Sequence, residues 1–136
     1  MTAACPCGSA LAYGACCGRY HAGPLHLQAP TAEALMRSRY SAYVLGLREY
    51  VLATWHAGKR PSTLDADPPG LKWLGLEVRR CQPLHSIIGI SSLNSEQAIV
   101  EFVARSKLGG RAQRQHETSR FVREDGRWFY VDGDVH

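Results

Sequence analysis

Apolar residues recur at two different spacings along this chain, and the change of spacing separates a helical part from a strand-forming part. Between residues 32 and 55 they recur every three or four positions, as in helices that bury one face. From residue 73 onward apolar and polar residues alternate, which is typical of strands. Helices followed by a run of strands predict an α+β fold, with the helices packed on one face of an antiparallel sheet.

The helical part divides into two predicted helices. Pro30 followed by Thr31 indicates a helix start, with Thr31 capping the N-terminus and Glu33 in the first turn. Gly46 is predicted to end or kink this helix, and a second helix then runs to about residue 56. The stripe that the first helix buries consists of Ala32, Leu35, Met36, Arg39, Tyr40, Tyr43 and Leu47.

The strand-forming part predicts a meander of at least four antiparallel strands. Residues 73–79, 98–105, 113–123 and 127–132 have strand patterns, and Ile87–Ile90 is a candidate for a further short strand. Two-residue hairpin turns are predicted at Gly109-Gly110 and at Asp125-Gly126. Counting outward from these turns gives the pairs Leu108–Arg111, Phe102–Glu117, Val100–Ser119, Phe121–Tyr130 and Ser119–Asp132.

These pairs give the predicted sheet two unlike faces. The aromatic face should lie under the helices, and it carries Val100, Phe102, Phe121, Trp128 and Tyr130 around Glu117, Ser119 and Asp132. The charged face should meet solvent or a partner subunit, and it carries Ile99, Val103, Val122, Phe129 and Val131 among Glu101, Arg105, Arg114, His116 and Arg120. His116 and Glu117 are neighbours on a strand, so they point to opposite faces and cannot pair directly.

Two acids on the aromatic face indicate a buried polar cluster or a pocket. A carboxylate in apolar surroundings needs a partner, so we expect Arg39 to bridge to Glu117, to Asp132 or to both. One interpretation is that the cluster only fixes how helix meets sheet, and the other is a small-molecule pocket. The residues of this predicted cluster or pocket are Arg39, Tyr40, Trp55, His56, Glu117, Ser119, Tyr130 and Asp132.

Four of the five cysteines fall within the first seventeen residues, at Cys5, Cys7, Cys16 and Cys17. Four thiolates in tetrahedral geometry select zinc, with iron as the alternative, and a closed site of this kind contributes folding energy rather than chemistry. Two disulfides or free thiols are the competing interpretation. His21 and His26 are reserve ligands should a cysteine not bind. The fifth cysteine, Cys81, is predicted to be a buried apolar residue within a strand.

Length and charge restrict the remaining choices. The chain has 136 residues and a formal charge of +4, which becomes +2 if four thiolates hold one divalent ion. The predicted organisation is a metal knuckle at residues 1–22, a linker at 23–30 and a second domain at 31–136. No apolar run is long enough for a membrane helix, and the N-terminus lacks the pattern of a signal peptide, so we expect a cytoplasmic protein.

Basic residues concentrate in the second half of the chain. They are Arg105, Lys107, Arg111, Arg114, Arg120, Arg123 and Arg127. A solvated strand face and contact with nucleic acid or ribosomal RNA are the two interpretations, the first being the favoured one.

The cysteine segment resembles a known motif. Cys5-Pro6-Cys7-Gly8-Ser9 with Cys16-Cys17-Gly18 is similar to the SEC-C motif, a zinc knuckle that is found at the end of the bacterial translocase motor SecA. The usual Gly-Lys-Lys after the serine is Ala10-Leu11-Ala12 here, so this knuckle is less basic.

The resemblance extends over nearly the whole chain, to the YchJ family of bacterial proteins. It is carried by residues 35–43, 54–56, 73–76, 102–105, 119–121 and 128–133. It implies that the second domain has the NTF2-like (cystatin-like) fold, a curved antiparallel sheet with helices laid across it. Such sheets commonly dimerise through an exposed face, which makes a homodimer an option.

Three functions are in agreement with these patterns. The leading one is a cytosolic zinc-binding accessory protein, whose knuckle docks a macromolecular partner or has a structural role. The second is a small-molecule-binding or enzymatic pocket in the NTF2-like domain, although the sequence shows no catalytic set. The third is an RNA- or ribosome-associated protein that uses the arginine-rich hairpin. No membrane partner is expected.

Overall fold

The computed structural model describes residues 3–84 and 96–136, so the candidate strand at Ile87–Ile90 lies outside the described residues. Within these ranges a 3-10 turn at Tyr13–Ala15 is followed by helix α1 (Gly18–His21), helix α2 (Ala32–Leu45) and helix α3 (Arg48–Ala53). No described helix combines the length and the apolar content needed to cross a membrane.

Among the described residues, four strands follow the helices: β1 (Lys72–Leu84), β2 (Glu96–Leu108), β3 (Arg111–Glu124) and β4 (Arg127–Val135). They form one antiparallel sheet in which each strand pairs with the next along the chain. Helix α2 packs against this sheet, which confirms the predicted α+β fold.

The predicted start and end of helix α2 are confirmed. The Thr31 hydroxyl accepts a hydrogen bond from the Ala34 amide at 3.0 Å, so it caps an otherwise unpaired donor. Gly46 ends the helix with φ +73°, a left-handed conformation that glycine adopts without the cost of a Cβ clash.

The hairpin register is confirmed for β2–β3 and only in part for β3–β4. Phe102 pairs with Glu117 and Phe121 pairs with Tyr130, as predicted. A register shift between Arg120 and Phe121 then places Gly133 opposite Ser119, and Asp132 opposite Arg120. The predicted Ser119–Asp132 pair is therefore wrong, because a one-residue bulge turns the following residues to the other face.

A second bulge changes the first strand. Trp73 pairs with Ser106 and Gly75 with Arg105, which leaves Leu74 as the extra residue. Leu74 is consequently exposed, whereas Leu76 and Val78 pack against the core. Cys81, predicted to be buried, is exposed, and its thiol lies 3.4 Å from the Glu33 carboxylate.

The charged face of the sheet is less open than predicted. Val103, Val122 and Val131 are at most 1% exposed, although they lie outside the core beneath the helices. Around them, Arg120 pairs with Asp132 and Asp134, and His116 pairs with Glu101. Further ion pairs on this face are Arg80–Glu101, Arg105–Glu77 and Arg79–Glu77.

The cysteine segment packs into the same core as helix α2. The four N-terminal cysteines and Tyr20 belong to one cluster of buried residues with Leu35, Met36 and Tyr40. The predicted linker is packed as well: Ala29 is buried, and the Pro30 carbonyl accepts a hydrogen bond from the Trp128 indole at 3.2 Å.

Candidate functional site

The four N-terminal cysteines converge on one point. All four are buried, and their Sγ atoms lie within 4.8 Å of one another. The Cys7 and Cys16 sulfurs are 3.6 Å apart. A zinc–sulfur distance of about 2.3 Å places the sulfurs of a tetrahedral site about 3.8 Å apart. The donor set and its spacing therefore fit a four-coordinate metal ion.

Local turns bring the two cysteine pairs together. The Cys5 amide donates to the Leu11 carbonyl at 2.8 Å, which closes the loop between the pairs. The 3-10 turn at Tyr13–Ala15 then leads into Cys16 and Cys17, just before α1. Gly18 is required here, because a Cβ at this position would lie 2.8 Å from the Tyr13 carbonyl oxygen.

The pKa values of the clustered cysteines depend on one another. The hydrogen bond from Cys17 lowers the pKa of Cys7 to about 4, while that same hydrogen bond raises the pKa of Cys17. Burial raises the pKa of Cys16. Deprotonation of Cys7 thus disfavours deprotonation of Cys17, and a bound cation would offset this effect.

Groups around the cysteines hold them in place and stabilise negative charge. The Ser41 hydroxyl of α2 lies 3.5 Å from Cys5 Sγ, and the Ser9 hydroxyl lies 3.1 Å from Cys16 Sγ. Arg37, also on α2, donates to the Cys7 carbonyl at 2.9 Å. Such outer-shell contacts orient metal ligands.

The reserve histidines are not part of the cluster. Within the described residues, the group that could hold a metal consists of the four cysteines alone. Both ring nitrogens of His21 are engaged elsewhere: Nε2 donates to the Ser38 carbonyl at 2.8 Å, and Nδ1 accepts from the Tyr13 hydroxyl at 2.6 Å.

A cavity of about 550 Å³ lies between helix α2 and the sheet. Its inner end is formed by buried residues, and its outer end by exposed residues of the loop before β1 and of the β2–β3 hairpin. The lining includes Met36, Arg39, Tyr40, Tyr43, Trp55, Asp67, Trp73, Phe102, Ala104, Gln113, Gln115, Glu117, Ser119 and Tyr130.

Arg39 lies at the inner end of this cavity, but not in the predicted ion pair. Its Nη1 donates to the Val51 carbonyl at 2.7 Å and to the Thr54 hydroxyl at 2.8 Å. Its guanidinium carbon lies 4.4 Å from the Tyr130 ring centre. Among the described residues, no ion pair joins Arg39 to either predicted carboxylate. The C-terminal end of α3 and the face of the Tyr130 ring stabilise the buried guanidinium instead.

Glu117 is the buried carboxylate of the cavity, at 8% exposure, whereas Asp67 at the outer end is exposed. Its Oε2 accepts hydrogen bonds from the Ser119 hydroxyl and, at 3.4 Å, from the Tyr130 hydroxyl. Its Oε1 accepts one from the Gln115 amide at 3.0 Å. Burial raises the pKa of Tyr130, and Glu117 adds to that shift, so Tyr130 remains a neutral donor.

Asp132 and His56 lie outside the cavity. The bulge in β3–β4 puts Asp132 on the charged face, where it accepts a hydrogen bond from Arg120. His56 follows α3, and its Nε2 lies 3.0 Å from Glu124. Of the predicted set, the structure therefore brings together Arg39, Tyr40, Trp55, Glu117, Ser119 and Tyr130.

Three contributors to the site did not follow from the sequence. Thr54 holds Arg39, Gln115 holds Glu117, and Gly133 leaves space for the Glu117 side chain. A Cβ at Gly133 would overlap the carboxylate, with 2.8 Å to its carbon. Gln115 could have been found from strand alternation, since it lies two residues before Glu117. The position of Gly133 beside Glu117 depends on the bulge in the β3–β4 pair, which alternation does not show.

Comparison with protein families accounts for both parts of the chain. A model of the SEC-C motif matches residues 1–19, and one described as the YchJ middle NTF2-like domain matches residues 31–133. A UPF0225 protein of Chromobacterium violaceum is 58% identical over 135 residues, covering 98% of this chain and 93% of that protein. A UPF0225 protein of Methylibium petroleiphilum is 60% identical over 131 residues, covering 96% and 88% respectively.

Solved structures give the same result. The solution structure of a SEC-C motif containing protein from Rhodopseudomonas palustris is similar with a TM-score of 0.77 and 33% identity, covering 98% of this chain and 99% of that one. A crystal structure of such a protein from Psychrobacter arcticus has a TM-score of 0.74 and 32% identity, covering 97% and 82%. The chain therefore belongs to the YchJ family, with an N-terminal SEC-C motif and an NTF2-like domain.

Proposed function

We propose that the protein is a zinc-binding accessory protein in which a structural zinc site supports a small-molecule-binding domain. The observation that carries this proposal is the double role of helix α2. Arg37 and Ser41 of this helix contact the cysteine segment, whereas Met36, Arg39 and Tyr40 line the cavity. Fastening the knuckle to α2 would hold one wall of the cavity in place.

Zinc is favoured because, among the described residues, the site consists of four buried thiols with no other ligand type. A four-thiolate site is closed, so the ion supplies folding energy and leaves no coordination position for a substrate. The knuckle is too short to have an apolar core of its own, and its cysteines instead become part of the larger core.

Metal analysis of purified protein tests the zinc proposal. The wild type should contain one zinc per chain, and Cys7→Ser should contain much less. Cys81→Ser is the matched control, because Cys81 is an exposed cysteine outside the cluster, and it should retain the metal. Equal metal content in all three proteins, or iron in place of zinc, would contradict the proposal.

Ligand binding is favoured over catalysis by the composition of the cavity. Its volume of about 550 Å³ is in the range of small-molecule sites. Asp132 and His56, which the sequence analysis placed in the possible pocket, lie outside it and pair with Arg120 and Glu124. Glu117 faces the cavity within a set of neutral donors, which is suited to recognition.

A filled cavity tests the ligand-binding proposal. Ala104 is buried and lines the cavity, so Ala104→Phe should abolish the binding of small aromatic probes detected by ligand-observed NMR. Ala112→Phe adds the same ring at an exposed position on β3 and should leave binding unchanged. Unchanged probe binding in Ala104→Phe would mean that the probes bind elsewhere, and it would contradict the proposal.

A macromolecular partner of the knuckle remains a prediction. Leu11, which replaces one of the usual lysines, is 52% exposed, so any such contact would depend on an apolar side chain rather than on charge. Homodimer formation and contact with nucleic acid remain predictions too.

A further inference from the structure

The carboxylate in the cavity has unused capacity to accept a hydrogen bond. Each carboxylate oxygen has two lone-pair sites. Oε2 of Glu117 accepts from Ser119 and Tyr130, whereas Oε1 accepts only from Gln115 among the described residues. A ligand with an N–H or O–H group could therefore complete the set at Oε1.

The two buried charges of the cavity offset each other, and its other charged lining residues, Asp67 and Arg114, are exposed at the outer end. Arg39 and Glu117 are both buried, at 4% and 8% exposure, and carry opposite charges. The ring of Tyr130 connects them, since Arg39 lies against its face and its hydroxyl donates to Glu117. At the buried inner end, a charged ligand would disturb this balance and would lose its hydration, which is costly.

Aromatic rings lie on two sides of the cavity, one toward β4 and the other toward β1. Trp55 and Tyr130 make an edge-to-face pair with ring centres 5.1 Å apart, on the β4 side. Tyr40 and Trp73 make another at 5.6 Å, on the β1 side, and Tyr43 lies beside Trp73 at 6.2 Å. A flat ring placed between these pairs would find stacking and edge contacts on two sides.

We propose that the cavity binds an uncharged, planar nitrogen heterocycle whose N–H group donates to Oε1 of Glu117. This inference rests on the ligand-binding function proposed above. It combines the open acceptor position, the balanced charges and the aromatic walls. The volume of about 550 Å³ accommodates one or two fused rings with substituents.

Four small probes separate the ligand classes. Indole and benzofuran have nearly the same shape, but only indole has an N–H donor. Benzamidine represents organic cations and benzoate represents anions. In titrations of the wild type followed by protein NMR shifts, indole should bind about 10-fold more tightly than benzofuran, the effect of a hydrogen bond to a charged group. Benzamidine and benzoate should bind more weakly than indole.

Substitution of the carboxylate tests the donor preference directly. In Glu117→Gln, the amide oxygen should take the position of Oε2, where Ser119 and Tyr130 donate, and the amide NH₂ should face the ligand. An N–H group would then meet another donor, so the preference for indole should be lost while benzofuran binding is unchanged. Glu96→Gln, an exposed carboxylate on β2, is the matched control and should retain the preference.

Gly133→Ala provides a second variant if Glu117→Gln does not fold. The added Cβ would displace the Glu117 carboxylate, so the same loss of preference is expected. Circular dichroism and thermal unfolding identify the variants that fold.

The outcomes distinguish this inference from the proposed function. Equal binding of indole and benzofuran in the wild type, or tightest binding by benzamidine or benzoate, would overturn the inference. If probes bind the wild type and not Ala104→Phe, but Glu117→Gln has no effect, the inference fails and the ligand-binding function stands. If no probe binds the wild type, both fail.

Discussion

The cysteine knuckle and the cavity are assembled in opposite ways. The knuckle takes its four sulfurs from a thirteen-residue segment, and tight turns bring them within 4.8 Å of one another. The cavity takes its lining from positions between Met36 and Tyr130, on a helix, a loop and all four strands. The first depends on turns within a short segment, whereas the second depends on the strand register. Helix α2 belongs to both, which makes their coupling testable.

Removal of the metal should have the largest effect. The cysteines contribute to the core beneath α2, so loss of the ion leaves four thiols crowded and the N-terminal segment detached. We expect a loss of about 4 kcal/mol or more in the free energy of unfolding on chelation. Hydrogen exchange should increase in α2 as well as in residues 3–22. Exchange confined to the knuckle would show that the two regions are independent.

Removal of the buried guanidinium should come next. Arg39→Met removes the 2.7 Å donor of the Val51 carbonyl, which is then left with the longer 3.2 Å hydrogen bond from the Thr54 hydroxyl. It also removes a buried cation that interacts with Glu117. Burial lowers the pKa of Arg39, yet its contacts with Val51 and Thr54 keep it satisfied. We expect a loss of about 3 kcal/mol in urea unfolding.

The control for that prediction is Arg123→Met. Arg123 is exposed and pairs with Glu96 on the surface, so its loss should cost less than about 1 kcal/mol. Retained metal content in Arg39→Met would show that the knuckle tolerates a disturbed cavity.

A methyl group at Gly133 should disturb the cavity without touching the knuckle. Gly133→Ala should cost about 2 kcal/mol, since its Cβ overlaps the Glu117 side chain. Shortening that side chain should relieve the overlap, so the cost should be smaller in a Glu117→Ser background. Gly14→Ala is the control, because a Cβ there has no neighbour within 4 Å. An equal cost in both backgrounds would contradict the contact.

His21 should give the smallest effect, visible as a pH dependence. Burial lowers the pKa of His21 below its usual 6.5, so the folded state holds it neutral. The unfolded state binds the proton first as pH falls, and stability is therefore lost below about pH 6.5. The slope from one proton is at most about 1.4 kcal/mol per pH unit. His21→Gln should flatten this part of the curve, and His26→Gln, an exposed histidine, should not.

Local patterns predicted more of the knuckle than of the cavity. The cluster of four cysteines follows from their spacing, and the helix limits follow from Thr31 and Gly46. The β2–β3 register follows from the Gly109-Gly110 turn. Each of these depends on residues close together in the chain, where turn and cap preferences are strong.

The cavity was predicted only as far as the register was right. Glu117, Ser119 and Tyr130 lie where alternation puts them, whereas Asp132 lies on the other face and Arg39 has other partners. Leu74 is exposed for a related reason, since a register shift in β1 makes it the extra residue, whereas Cys81 lies opposite buried Val100 and is exposed on the edge strand. Side-chain alternation carries no mark of a bulge, and a single extra residue reverses every later position.

The amino-acid sequence by itself determined the cysteine cluster, the order of helices and strands, and the aromatic character of one sheet face, because these depend on spacing along the chain. Only the tertiary structure decided that Gly133 rather than Asp132 faces Glu117, that Arg39 lies against Tyr130, and that the knuckle shares a core with α2. Those arrangements result from packing between distant segments, which local preferences do not encode.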